Sequence, residues 1–161
     1  MSGDARTMDD RHGPQLRPIG TIHSPYKSTE KLRERMKSGD DISEIEVFRE
    51  FEQGLQDVEG FSHIVVIFWF HSSQGYDLLV KPPGEESLRG VFATRSPRRP
   101  CPLGLTVVEL VAREGNILKV KGLDAVDGTP LLDIKPYIPS AYEQGTVRIG
   151  WLEGKRGEDR G

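Results

Sequence analysis

Apolar positions along this chain fall into short runs closed by turn signals, and few keep a helical period. Ile19 to His23 reads as a short strand, stopped at Ser24-Pro25. Ile42 to Val47 divides into two faces, Ile42, Glu44 and Glu46 against Ser43, Ile45 and Val47, which is the period of a strand. Phe48, Phe51, Leu55 and Val58 follow at helical spacing and predict a short helical segment, interrupted by Gly54 and Gly60. His63 to His71 is apolar on both faces and rich in β-branched and aromatic residues, so a central strand buried on both sides is expected. Leu78 to Lys81 is a short strand ended by Pro82-Pro83-Gly84. Leu105 to Arg113 and Ile117 to Leu123 predict a hairpin through Glu114-Gly115-Asn116. Asp127-Gly128 before Thr129-Pro130 predicts a tight turn with Gly128 left-handed, from which Leu131 to Tyr137 leads out. Val147 to Leu152 reads as a last edge strand.

Two segments break the pattern of strands. Tyr26 to Asp41 is highly charged, and predicts a long polar loop with one helical turn near Lys31 to Met36. Gly90 to Leu105 carries prolines at 97, 100 and 102, which exclude a helix or a central strand after Thr94. Along this stiff loop lie Arg95, Arg98 and Arg99, with hydroxyls at Thr94 and Ser96. Guanidinium forks on a rigid backbone suit a phosphate or carboxylate, because little entropy is lost on binding. The plain alternative is a solvated turn with incidental arginines. His71 leaves the most apolar strand and enters the Ser72-Ser73-Gln74-Gly75 loop, the kind of place where ligands are met, whereas His63 reads as a strand-start residue meeting its own hydrogen bonds.

Composition fits many short elements: 161 residues, enough for one domain with a real core, hold 18 glycines and 11 prolines. Formal net charge is -3, yet residues 81–100 hold five cations against Glu85 and Glu86, a local basic patch on an acidic chain. Cys101 is the single cysteine, which excludes an intrachain disulfide and favours a reducing, cytoplasmic setting. No apolar run reaches membrane length and no targeting core is evident. The expected organisation is a polar tail at 1–17, one mostly β domain at 18–153 with short helical segments and long loops, and a charged tail at 154–161.

Several site types are missing. No Gly-x-Gly-x-x-Gly follows a strand, and there is no Walker loop or Gly-x-Ser-x-Gly elbow. The four histidines and one cysteine lack metal-ligand spacing, so no metal is expected. Cys101 stands beside Arg98 and Arg99, and a bystander thiol is the reading preferred to a nucleophile.

Three blocks taken together resemble one family. They are Phe92-Ala-Thr-Arg-Ser-Pro-Arg-Arg-Pro-Cys-Pro-Leu-Gly-Leu105, Gly60-Phe-Ser-His-Ile64 running on to Phe70-His71, and Leu123-Asp-Ala-Val-Asp-Gly-Thr-Pro-Leu-Leu-Asp-Ile-Lys-Pro-Tyr137. With the opening Ile19-Gly-Thr-Ile-His-Ser-Pro-Tyr-Lys27 they are similar to the TsaA-like (YaeB-like) family, over about Pro18 to Ile149. The resemblance implies a single small β-barrel that binds S-adenosylmethionine, works as a homodimer and methylates the exocyclic nitrogen of threonylcarbamoyladenosine beside the tRNA anticodon. It implies cofactor contacts at His71, Ser72, Arg95, Leu105 and Asp127, Gly128, Thr129 and Pro130, with backbone groups of that turn available to the adenine. Arg33 and Glu34 stand in for the family's first-loop Pro-Arg-Gln, and Cys101 for its usual asparagine. Asp127, His71 and Tyr137 are the candidate bases, and Lys81, Arg89, Arg98 and Arg99 the candidate phosphate contacts on the anticodon loop. Rival readings are the same barrel acting on another RNA or a small molecule, a cofactor- or RNA-binding module without catalysis, and a structural β domain.

Overall fold

The computed structural model describes residues 15–35, 39–139 and 147–155. Its strands are β1 (Gly20–His23), β2 (Ile42–Val47), β3 (His63–Trp69), β4 (Leu79–Val80), β5 (Arg89–Gly90), β6 (Leu103–Glu114), β7 (Ile117–Lys121) and β8 (Thr129–Pro136). One α-helix, α1 (Thr29–Arg35), lies in the polar loop, and short 3₁₀ turns occupy Arg49–Leu55, Val58–Gly60, Val91–Ala93 and Gly150–Leu152. The tails expected at 1–17 and 154–161 fall outside the described residues, apart from 15–17 and 154–155.

Six strands close into an antiparallel barrel in the order β1-β2-β7-β6-β3-β8, with β8 returning to β1. Closure removes free sheet edges, and period-two alternation then sends one set of side chains inward from each strand. β2 is the strand that its two-faced pattern predicts, and its Ser43, Ile45 and Val47 point inward. Ile22, Ile64, Val66, Phe68, Val108, Leu118, Val120 and Leu131 complete the interior, and Leu55 packs onto this core from its 3₁₀ turn. The β6–β7 hairpin turns at Gly115, which has φ of 62°, and the 127–129 turn uses Gly128 at φ 82°.

Two expectations need correction. β3 is not buried on both faces: Ile64, Val66 and Phe68 are inside, while His63, Val65, Ile67 and Trp69 stay half-buried or exposed. A six-stranded barrel has a single interior, so the apolar outer face of β3 is left to be covered by something else. Leu103, Leu105 and Val107 of β6 pair with Trp69, Ile67 and Val65 and extend that face. Residues 147–152 form no edge strand. Ile149 N–H donates to the Glu153 carboxylate, Gly150 takes φ of 58°, and Trp151 Nε1 donates to the Ala93 carbonyl, which bends the segment into a 3₁₀ turn against the proline-rich loop.

Candidate ligand-binding site

One end of the barrel is formed by the end of β3, the starts of β6 and β8, and the loops beyond them. Gly104 on β6 lies under the ring of Phe68: a Cβ there would sit 2.3–2.9 Å from ring carbons. The absence of a side chain lets Phe68 lie flat at the barrel mouth, where it meets Phe70 edge to face at 5.4 Å between centroids. Together they give the mouth an aromatic floor.

The proline-rich loop is braced from within. Arg98 Nε donates to Asp77 Oδ2 at 2.9 Å and its Nη1 to the Gln74 carbonyl at 2.7 Å, which ties this loop to the one that carries His71. Arg98 holds the Asp77 carboxyl below its ordinary range, and Asp77 raises Arg98 in turn. Arg99 Nη1 donates to the Thr94 and Ser96 carbonyls. Ser73 Oγ donates to the Pro97 carbonyl at 3.0 Å. Arg89 pairs with Glu85 and lies over the Trp151 ring at 5.3 Å. Three of the four cations expected to face RNA are therefore engaged in holding the loops. Lys81 is the exception, exposed and without a partner among the described residues.

Arg95 is also exposed and unpaired among the described residues, and it lines three adjoining clefts. An inner cleft of 240 Å³ runs between Arg33 and Leu32 of α1, Phe70, His71, Ser72 and Thr129. A side groove of 370 Å³ continues past Arg99, Cys101, Leu105 and Thr106. A larger cleft of 960 Å³ is lined by residues that include Arg33, Lys81, Phe92 and Trp151. Phe68, Phe70, Arg95 and Asp124 are common to the inner cleft and the side groove, and Arg33, Arg95 and Pro97 to the inner and larger clefts.

Of the expected cofactor contacts, His71, Ser72, Arg95, Thr129 and Arg33 gather at the inner cleft, and Leu105 lines the side groove. Glu34, Asp127, Gly128 and Pro130 line none of these clefts. Asp127 acts as a latch: Ser24 N–H donates to Oδ1 at 2.9 Å and Lys27 Nζ to Oδ2 at 2.6 Å. The Lys27 hydrogen bond first, and the Ser24 amide second, hold its carboxyl below the ordinary value. The amides of Asp127, Gly128 and Thr129 donate to the carbonyls of Tyr26, Ile22 and Val126, so the turn cannot offer these N–H groups to an adenine, only carbonyl oxygens. Tyr137 packs against His63 at 6.4 Å between centroids, at the opposite end of β3 from His71. His63 Nδ1 meets Ser62 Oγ at 2.8 Å, in keeping with a residue that satisfies its own hydrogen bonds.

Sequence reasoning missed Asp124, Phe70, Phe92 and Trp151. Asp124 accepts a hydrogen bond from the Thr106 hydroxyl and shares two clefts with Arg95. Its signal was its place in the Leu123–Tyr137 block, three residues before the more conspicuous Asp-Gly turn. Among the described residues, no group of three His, Cys, Asp or Glu side chains could hold a metal ion, and no helix is long and apolar enough to cross a membrane.

Fold and site define a class: a small antiparallel β-barrel with an arginine-centred cleft at its mouth. The chain belongs to the tRNA-methyltransferase O family, whose N-terminal domain matches residues 21–142. It is 52% identical over 138 residues to a probable S-adenosyl-L-methionine-binding protein of Pyrococcus abyssi, covering 85% of this chain and 75% of that one. It is 39% identical over 140 residues to the tRNA (adenine(37)-N6)-methyltransferase of Escherichia coli, covering 79% of this chain and 59% of that enzyme. The crystal structure of TrmO from Pseudomonas aeruginosa superposes with a TM-score of 0.70 at 33% identity, over 85% of this chain and 61% of that one. The chain thus spans about three fifths of the crystallised protein and of the bacterial methyltransferase.

Proposed function

We propose that this barrel binds S-adenosyl-L-methionine and methylates N6 of adenosine 37 in tRNA carrying the threonylcarbamoyl group. The observation that carries the reading is the junction at Arg95, an unpaired cation common to a small inner cleft and a larger outer one. A methyl transferase needs two ligands meeting end to end, and holding them aligned is much of what the protein contributes.

The residues of the inner cleft fit the cofactor by their chemistry. Arg95 can grip a carboxylate with two parallel hydrogen bonds. Half-buried Phe70, held edge to face by the buried Phe68, offers aromatic surface to a cation, and Asp124 lines the same cleft. When bound, S-adenosylmethionine supplies an electrophilic methyl group on a sulfonium. His71, exposed at the inner cleft with Nε2 3.4 Å from Ser72 Oγ, is assigned the acceptor nitrogen's proton, which a neutral imidazole can take. Asp127 is disfavoured for that task, since both its oxygens accept hydrogen bonds and its carboxyl is held acidic. Tyr137 is disfavoured by its place at the far end of β3.

The protein is proposed to work as a homodimer. Trp69 is 44% exposed, Leu105 52% and Val107 42%, on one continuous outer face of β3 and β6, and a second copy would cover it. Sedimentation of the wild type against Val107→Glu tests this, with a monomeric variant as the expected result.

The activity is tested by nucleoside mass spectrometry after incubation with S-adenosylmethionine and two tRNA pools, one carrying threonylcarbamoyladenosine and one lacking it. Methyl gain only in the first pool is expected. Gain in neither pool, with cofactor binding intact, would move the assignment to another acceptor or to a sensing role.

A further inference from the structure

We infer that the larger cleft is a stacking site for a purine base swung out of single-stranded RNA, with Phe92 as the platform and Lys81 and Arg33 as contacts to the flanking phosphates. The inference rests on the tRNA reading above and names the part of the site that takes the acceptor.

Phe92 is the most exposed large apolar side chain among the described residues, at 77%. It sits on the Val91–Ala93 3₁₀ turn, where Val91 is buried and Thr94 N–H and Oγ1 both donate to the Val91 carbonyl. The turn is fixed while the ring it carries is bare. A bare ring on a fixed backbone costs little entropy when a flat ligand covers it. Trp151 also lines the cleft, and its Nε1 donates to the Ala93 carbonyl at 2.8 Å. Arg89 and Lys155 approach that indole and both pair with Glu85, so it is held by internal contacts. At 960 Å³ the cleft has room for a nucleoside, being at the upper end of small-molecule sites of about 300–1,000 Å³.

Charge selects the occupant. Arg33, Lys81 and Arg95 are the charged residues of the lining, no acidic residue joins them, and none of the three has a partner among the described residues. A cationic cleft with exposed aromatic surface is the combination that single-stranded nucleic acid binding uses, stacking for the base and cations for the backbone. The cleft shares Arg33, Arg95 and Pro97 with the inner cleft, so a base lodged there presents its edge at the cofactor's end of the trench.

The test measures two affinities in parallel on the full chain: a labelled anticodon stem-loop RNA by fluorescence anisotropy, and S-adenosylmethionine by calorimetry. Phe92→Ala is expected to weaken RNA binding about ten- to a hundredfold, the range of one base–aromatic stack, with the cofactor affinity unchanged. Phe92→Tyr should restore RNA binding, because it keeps the π-face. Lys81→Ala should lower the slope of log affinity on log salt by about one, the signature of one phosphate contact. RNA affinity unchanged in Phe92→Ala would overturn the inference. So would a parallel fall in both affinities, which would give the cleft to the cofactor, or loss of RNA binding only through a change in sedimentation, which would make Phe92 a subunit contact. If the wild type binds both probes but transfers no methyl to any tRNA, the stacking site stands and the proposed activity fails.

Discussion

Replacing Arg95 with alanine separates a binding residue from a structural one. Its guanidinium is exposed and has no hydrogen bond or ion pair among the described residues, so the fold loses no contact with it. Stability should stay within about 0.5 kcal/mol of wild type, as at an ordinary surface site. Binding should respond very differently. A hydrogen bond to a charged partner contributes about 1.5–3 kcal/mol net, so losing the carboxylate grip should weaken S-adenosylmethionine about ten- to a hundredfold. Calorimetry with the decarboxylated cofactor closes a double-mutant cycle. Wild type should bind that analogue as weakly as Arg95→Ala binds the intact cofactor, and Arg95→Ala should barely distinguish the two. Arg95→Lys should fall between, since an ammonium keeps the charge but not the fork. If Arg95→Ala still discriminates the carboxylate as strongly as wild type, the carboxylate is held elsewhere and the assignment of the inner cleft fails.

Other consequences follow from the same geometry. Gly104→Ala puts a Cβ 2.3 Å from a ring carbon of a Phe68 that is 1% exposed, so chemical denaturation should show a loss of about 1–3 kcal/mol, and a smaller shift would mean the ring moves freely. The Asp127 carboxyl is held below its ordinary value in the fold, chiefly by Lys27, so its contribution is present above that value and disappears as pH falls through the lower, folded one. Lys27→Ala should therefore remove, at neutral pH, under about 1 kcal/mol, and that deficit should vanish in acid; a deficit that persists there would contradict an ionic latch. Arg98→Ala should loosen the 72–77 loop, read as faster proteolysis between His71 and Tyr76 and a raised cofactor Kd, and an unchanged cleavage pattern would show that the latch is dispensable.

The cationic loop shows how far residue type alone carries. Prolines at 97, 100 and 102 establish a stiff irregular segment, and three arginines in it establish an anionic partner or an internal brace. Which of the two holds at each arginine depends on what lies across the gap. Arg98 meets Asp77 and Gln74, Arg99 meets carbonyls of its own loop, and Arg95 meets open space. Nothing in the local sequence separates these three environments.

Most of the barrel strands as local segments, and the two turns at Gly115 and Gly128, were legible in the sequence, because turn residues and period-two alternation act over a few positions. Barrel closure was legible only through the family resemblance, since the pattern of β3 suits a strand buried on both faces. Tertiary structure decided the rest. It placed β8 between β1 and β3, turned Asp127 to Ser24 and Lys27, left Tyr137 beside His63, and brought Asp124 and Phe92 to a trench centred on Arg95. A residue's chemistry is set by its type, but its partners come from segments a hundred residues away, and only the closed barrel brings them within reach.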